Sequence, residues 1–187
     1  MPLSPDTLKE IDAQVRGGFE DRERIIEIFS EEMYAPGELD SAEVEGAVDE
    51  AISRHEAEKG AWPEVTDCDR LDRAFDAINK RGIIALQNAG YTQSDGYDDF
   101  REAYHGLSDA SHIVGYCFYH GQDLERAVAG GGLYLAFGPV DGRAEKTQGP
   151  EVGRVIVEEL GREGFEVVWD GTFGQRLLIP RFDWKKK

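Results

Sequence analysis

The chain has 187 residues, of which 40% are hydrophobic and 10% aromatic, so it carries enough apolar surface to form a folded core. Its 38 acidic and 21 basic residues give a net charge of −17, and we therefore expect no nucleic-acid partner. No apolar run reaches the roughly 20 residues of a membrane-spanning helix, and the first twelve residues lack a signal-peptide pattern, which predicts a cytoplasmic protein without a membrane partner.

The first eighty residues are predicted to be helical. Ser4-Pro5-Asp6 is a typical helix start, and apolar residues then recur at helical spacing as far as Gly17-Gly18. Capping residues, glycines and prolines delimit three further helices, over about residues 21–35, 41–60 and 66–82. Residues 1–60 hold 17 acids and 6 bases, so the excess of negative charge is greatest at the N-terminal end.

From Gly82 onward the apolar pattern changes to short strands that alternate with helices. The predicted strands are Ile83–Gln87, His112–Tyr119 and Leu133–Phe137, and the predicted helices span about 97–105, 122–128 and 150–162. Phe165–Trp169 and Arg176–Ile179 flank a glycine-containing loop, which predicts a C-terminal β-hairpin. Residues 184–187 are predicted to be a frayed tail.

These elements predict an α+β fold, in which a helical N-terminal third precedes a mixed sheet of about five strands with covering helices and a C-terminal β-hairpin. We expect a helical region over residues 1–80 and an α+β domain over 81–187. No linker indicates whether the first region packs on the second or forms a bundle of its own. The sequence permits an oligomer without specifying one.

The densest polar segment directly follows the strand Ile83–Gln87, where α/β proteins often bind ligands. Its candidate ligand-binding residues are Asn88, Tyr91, Thr92, Gln93, Ser94 and Asp95. The alternative is an ordinary capped loop, in which Ser94 or Asp95 starts the next helix and Asp98 and Asp99 complement its dipole. The spacing of the three aspartates matches no calcium loop, so no metal site is predicted.

A second candidate site follows the strand His112–Tyr119. His120 and Asp123 are three residues apart at a strand-to-helix turn, where a histidine and a carboxylate can form a general base. These two residues are the catalytic candidates, and Gln122 between them is a further ligand-binding candidate. Alternatively, His120 lines or caps the turn and Asp123 lies in the first turn of the helix.

Other residue patterns give little support to cofactor or cysteine chemistry. Cys68 and Cys117 have no CxxC spacing, which argues against a disulfide framework, and Cys117 is expected to be an inert core thiol. The glycines at 130–132 follow a helix and precede a strand, the wrong order for a phosphate-binding loop. No cofactor is therefore predicted.

Four segments, Arg81–Thr92, Gly115–Asp123, Gly131–Gly138 and the closing Trp169-Asp170-Gly171, resemble a bacterial family of unknown function. The resemblance covers mainly residues 81–182. Some relatives carry cysteines where this chain has Gln87–Tyr91, and because those cysteines are absent here, the resemblance implies no metal site. It implies the boundaries of a fold and no activity.

The sequence leads to two functional hypotheses. The first is a non-enzymatic binding or regulatory protein whose acidic surface meets a basic protein, as toxin-neutralising immunity proteins do. The alternative is a small enzyme or small-molecule binder that uses the 88–99 loop together with His120, Gln122 and Asp123, and it predicts that these segments converge on one pocket.

Overall fold

A computed structural model describes residues 2–187, which divide into two compact units. The helical unit consists of the described residues up to Thr66 together with Trp184–Lys187, and the sheet unit consists of Asp67–Asp183. The division falls before the fourth helix and not at residue 80, because that helix packs against the first strand and the last helix of the sheet unit.

Three helices and a π-helical turn build the helical unit. They are α1 (Pro5–Gly17), α2 (Arg22–Glu27), the π-helical turn Ile28–Glu32 and α3 (Ser41–Lys59). Ser4 caps α1 by accepting a hydrogen bond from the Thr7 backbone N–H at 3.1 Å, as the start signal predicted. The helices enclose an apolar core formed by Ile11, Val15, Ile25, Phe29, Val44, Val48 and Ala51.

The end of the chain packs within the helical unit. The indole Nε1 of Trp184 donates a hydrogen bond to the carbonyl of Arg16 at 3.0 Å, and the Trp184 and Phe19 rings lie 6.4 Å apart. Trp184 is buried, so the prediction of a frayed tail was wrong at this residue. An indole on a charged tail has no sequence signal that tells where it docks.

The sheet unit alternates helices with four strands. In chain order these are α4 (Asp67–Lys80), β1 (Ile83–Leu86), α5 (Gln93–His105), β2 (Gly115–Phe118), α6 (Gly121–Val128), β3 (Leu133–Pro139), α7 (Glu145–Arg162) and β4 (Leu177–Ile179). The sheet order is β1-β2-β3-β4, with β1 parallel to β2 and the other pairs antiparallel. The predicted α+β fold with a mixed sheet is confirmed, with four strands in place of about five.

The missing strand is the first arm of the predicted hairpin. Only Val168 of that segment pairs, in a single antiparallel bridge with Leu178. Beyond Val168 the chain turns on itself, because Trp169 Nε1 donates to the carbonyl of Thr172 at 2.8 Å and the Asp170 N–H donates to the side chain of Gln175. These local hydrogen bonds replace a longer ladder with β4.

Helices cover both faces of the sheet. Phe100 of α5 packs with Ile84, Tyr116 and Phe118 on one face. On the opposite face α7 lies so close that a Cβ atom at Gly115 would come within 2.8 Å of Val152. The sheet is therefore buried on both sides, which explains why all four residues of β2 are buried.

The side chain of Asn79, at the end of α4, binds the backbone of β1. Its amide oxygen accepts the N–H of Ala85 at 3.0 Å, and its amide nitrogen donates to the carbonyls of Ala85 at 3.4 Å and Phe75 at 3.0 Å. Since β1 is an edge strand, this side chain pairs backbone groups that a neighbouring strand would otherwise pair.

Candidate functional site

The two polar segments identified in the sequence lie side by side. Because β1 and β2 are parallel neighbours, the loops that follow them leave the same edge of the sheet. Three backbone hydrogen bonds then join these loops, from Ala89 to Tyr119 at 2.9 Å, from Gly121 to Gly90 at 2.9 Å and from Gln122 to Tyr91 at 3.2 Å. The turn that carries His120 is thus attached to the 88–99 loop.

His120 and Asp123 form a buried pair, as their spacing allowed. His120 Nε2 lies 3.1 Å from an Asp123 carboxylate oxygen, and both residues are less than 5% exposed. The same carboxylate receives both terminal nitrogens of Arg176, one of them at 3.1 Å, and the backbone N–H of His120 at 3.3 Å. Asp123 is therefore saturated by donors, and Arg176 is a member of the cluster that sequence reasoning missed.

The histidine of this cluster is held neutral. Burial lowers the pKa of His120, and Arg176 lowers it further, against the opposing influence of the Asp123 carboxylate. A neutral imidazole that donates from Nε2 to Asp123 leaves Nδ1 as an acceptor, and Nδ1 is buried without a hydrogen bond from any residue between 2 and 187. The cluster positions a base, but the protein covers it on all sides.

The central part of the 88–99 loop serves as the start of α5. Thr92 is the N-cap: its hydroxyl accepts the Asp95 N–H, and Asp95 in turn accepts the Thr92 N–H at 2.8 Å. These bonds lower the pKa of Asp95. Gln93 and Ser94 are exposed in the first turn. The helix thus starts one or two residues earlier than the capped-loop alternative expected.

The remaining candidates, Tyr91 and Gln122, lie on the outside of the junction. Tyr91 is 52% exposed, and its hydroxyl donates to the Glu125 carboxylate at 3.3 Å. Gln122 is exposed in the first turn of α6.

Asn88 lies at a cavity of about 350 Å³ at the start of the loop. Among residues 2–187 it is the one non-glycine residue with positive φ, at 49°. The cavity is lined by Leu86, Gln87, Asn88, Ala89, Asp99, Glu102 and Ala103, a set without His120 or Asp123. The two predicted polar segments are therefore adjacent. However, the catalytic candidates His120 and Asp123 do not line the cavity at Asn88, so the two segments do not form one pocket.

The side-chain amide of Gln87, the last residue before the loop, is hydrogen-bonded at both ends to other side chains. Its amide nitrogen donates to the Asp72 carboxylate at 2.6 Å, and its amide oxygen accepts the Tyr119 hydroxyl at 2.9 Å. Burial raises the pKa of Tyr119 well above its ordinary value, so the phenol stays a donor.

Cys117 of β2 is fully buried, and burial raises the pKa of its thiol. This is in keeping with an inert core cysteine.

The helical unit has 18 acids and 9 bases and the sheet unit 20 acids and 12 bases, so negative charge is denser in the smaller helical unit. Each basic residue among positions 1–60 forms an ion pair with a carboxylate, and these residues are Lys9, Arg16, Arg22, Arg24, Arg54 and Lys59. Since this segment has 17 acids, the pairs neutralise its positive charge and leave an excess of carboxylates. Nearly all the acids are exposed to solvent.

The two segments that Tyr34 joins also expose apolar side chains. Tyr34, just after the π-helical turn, bonds to α1, with its hydroxyl 3.0 Å from Thr7 Oγ1 and 3.4 Å from a Glu10 carboxylate oxygen. Leu8, next to Thr7, is 45% exposed, and Met33, next to Tyr34, is 50% exposed. We call the surface around the Tyr34 contact the α1–π face; it comprises Glu10, Glu31 and Met33, whereas Leu8, two residues from Glu10 in α1, lies on the other side of that helix.

Residues 2–187 offer neither a membrane-spanning helix nor a cluster of metal ligands. No helix there is long and apolar enough to cross a membrane. No group of three or more histidine, cysteine, aspartate or glutamate side chains in that range is placed to hold a metal ion. Near α5 the Asp98 carboxylate pairs with Arg101 at 3.2 Å, while Asp95 is used in the helix cap.

Comparison with known proteins finds one related family. No curated protein and no solved structure matches the chain. A family described as Domain of unknown function (DUF6891) matches residues 4–187, which extends the resemblance beyond residues 81–182 to the helical unit as well. Both compact units are thus part of one family unit, and the chain belongs to the DUF6891 family.

Proposed function

We propose that this chain is a non-enzymatic binding protein of the cytoplasm that recognises a basic protein through the α1–π face, in the manner of an immunity protein. The observation that carries the proposal is the excess of exposed carboxylates that remains after every base of residues 1–60 has formed an ion pair. Charge of one sign over a surface accelerates association with a partner of the opposite sign and selects against others.

The exposed Met33 of the α1–π face supports a protein partner in particular. Met33 is exposed next to Tyr34, which joins the π-helical turn to α1, and Glu10 and Glu31 lie in the same two segments. Protein interfaces combine an apolar centre, in which methionine is enriched, with a polar rim. The π-helical turn adds weight, because such turns occur frequently at functional sites.

The state of His120 and Asp123 also favours binding over catalysis. A general base must come within hydrogen-bond reach of a substrate proton, directly or through one water. Here both residues are buried, and the Asp123 carboxylate is already bound by Arg176. Separating the Asp123 carboxylate from Arg176 would leave a buried charge without its partner. We therefore assign the cluster a structural role.

The proposal is tested by affinity capture with two matched variants. Glu10→Lys/Glu31→Lys reverses two charges of the α1–π face, and Asp76→Lys/Glu151→Lys reverses two exposed helical charges of the sheet unit. From a lysate of the source organism, we expect a basic protein to bind the wild type and the control, and to be released by salt. The purified partner should bind the α1–π variant about tenfold more weakly or worse.

Two results would count against the proposal. One is the recovery of no basic protein whose binding is sensitive to salt. The other is a partner that binds both double variants equally, because net charge alone would then explain its capture. Circular dichroism and thermal unfolding of both variants confirm that each has kept its fold.

A second candidate is a small-molecule binder at the Asn88 cavity. The left-handed conformation of Asn88 favours it, since residues in sparsely populated conformations cluster at ligand sites. The carboxylates of Asp99 and Glu102 at the cavity would select a cationic or polar ligand. NMR titration with fragment-sized amines tests this: shifts confined to Asn88, Asp99 and Glu102 would support it, and no shift at these residues would reject it.

A further inference from the structure

A small cavity lies within the helical unit, where residues 186 and 187 pack beside the helices. Its volume is about 200 Å³, below the roughly 300–1,000 Å³ of pockets for drug-sized ligands. Val15, Ile25 and Ile52 supply apolar surface. The charged residues around it are Glu20, Arg22, Glu56, Lys59, Lys186 and Lys187. A small ligand with an apolar part and a charged part matches this composition.

The charge of the cavity is opposite to that of the unit around it. Four cationic and two anionic side chains line it, whereas the helical unit as a whole has eighteen acids and nine bases. The Lys186 ammonium lies 4.7 Å from the centre of the Phe19 ring, a cation–π contact that does not neutralise its charge. Arg22 is neutralised by Asp49 and Lys59 by Glu56, so the positive potential that favours an anion comes from Lys186 and Lys187, whereas the surface outside repels one.

One ring nitrogen of a buried histidine at the same cavity lacks a hydrogen-bond partner. His55 is 6% exposed, and its ring packs edge-on against Trp62 at 5.1 Å. Its Nδ1 has no hydrogen bond to any part of the chain that the structure describes. A buried polar atom without a partner costs free energy, which a bound ligand can recover. Burial, with Lys59 and Arg16, lowers the pKa of His55, against Glu56 and the backbone of Lys186.

We infer that this cavity binds a small monocarboxylate with a short branched apolar tail. The carboxylate lies by the Lys59 and Lys186 ammonium groups and beside His55, and the tail packs on Val15, Ile25 and Ile52. Lys59 is paired with Glu56 at 2.6 Å, so the ligand adds a second carboxylate to this ammonium group. The site is independent of the α1–π face and of its partner.

Titration of the full chain with isovalerate tests the inference, with the neutral isovaleramide as the matched probe. We expect saturable binding of isovalerate with a Kd on the order of 1 mM, typical of a ligand with few heavy atoms. The His55 imidazole resonances should move, and the pKa of His55 should rise, because a neighbouring anion stabilises the imidazolium. Isovaleramide should bind at least about tenfold more weakly.

Single lysine variants locate the site. Lys59→Gln and Lys186→Gln should each weaken isovalerate binding at least about fivefold. Lys185→Gln, the neighbouring lysine that does not line the cavity, should leave the Kd unchanged. The inference is overturned if the acid and the amide bind alike, if isovalerate does not move the His55 resonances at concentrations on the order of 10 mM, or if all three variants bind as the wild type does.

Discussion

The two units of this protein use charged residues in different ways. In the sheet unit, single carboxylates are buried and each is bound by arginine: Asp123 by Arg176, and Glu159 by Arg81 and Arg162. In the helical unit the ion pairs, such as Arg22–Asp49 and Arg24–Glu32, lie at the surface, and their partners remain about one-third to one-half exposed. A buried pair is costly to break, whereas an exposed pair contributes little to stability.

This difference shows where each unit can tolerate change. In the sheet unit Asp123 is part of the interior, so its loss leaves Arg176 without its carboxylate partner. In the helical unit the carboxylates are available for recognition, because the fold depends on the apolar core around Phe29 and Val48. A binding surface can therefore evolve on the helical unit with little effect on stability.

The largest expected effect is the loss of Asp123. Asp123→Ala should lower the free energy of unfolding by about 3–5 kcal/mol, because Arg176 loses its buried partner. The matched variant is Asp49→Ala, which removes an exposed carboxylate that accepts two hydrogen bonds from Arg22. Its unfolding midpoint should equal that of the wild type within experimental error. Urea unfolding measures both. Equal effects of the two substitutions would abolish the distinction between the units.

Substitution of two helical glycines gives a smaller effect of opposite sign in the two units. A Cβ atom at Gly96 in α5 would lie 2.4 Å from the buried Phe118 ring, so Gly96→Ala should destabilise by about 1–3 kcal/mol. Gly46 in α3 has open space around it, and Gly46→Ala should stabilise by up to about 1 kcal/mol. Thermal unfolding measures the two shifts, and a loss of stability at Gly46 would contradict the prediction.

The smallest effect concerns pH. The pKa of His120 is lowered on folding, so the native state binds its proton less tightly than the unfolded state does. The stability linked to this group is present above the unfolded pKa, near 6.5, and is lost as pH falls through the lower folded value. The slope of unfolding free energy between about pH 7 and 5 should thus be flatter in His120→Gln.

His112→Gln replaces an exposed histidine and serves as the control for that slope. The comparison uses slopes and not absolute stabilities, because Gln at position 120 also changes the hydrogen bond to Asp123. A slope that is equal in the wild type and in both variants would show that His120 keeps its unfolded pKa in the native state.

Local signals in the sequence predicted most of the fold. Ser4-Pro5 fixed the start of α1, and β1 ends within one residue of its expected end because the polar loop follows it. The strand at His112 is shorter than expected, since the N–H of Ile113 bonds to the carbonyl of Ala110 in a turn and β2 begins at Gly115. Helix α7 starts at Glu145, before Pro150, which the helix includes.

The candidate site was only partly predictable. The adjacency of His120 to the 88–99 loop follows from two parallel strands, and this pairing can be expected from the pattern of strands and helices. The tie between Asp123 and Arg176 spans 53 positions, and neither residue carries a local signal of it. The same is true of the π-helical turn, whose residues Ile28–Glu32 read as ordinary helix.

The amide of Asn79 has a consequence for how the protein behaves at high concentration. An open sheet invites another chain to add a strand at its margin, which is a common route to fibrous aggregates. At β1 an intruding strand would first have to displace a side chain that already satisfies the donor and the acceptor of Ala85. At the other edge of the sheet, the bridge between Val168 and Leu178 of β4 has a similar effect. Both edge strands are thus protected against pairing with another chain, although the sheet does not close into a barrel.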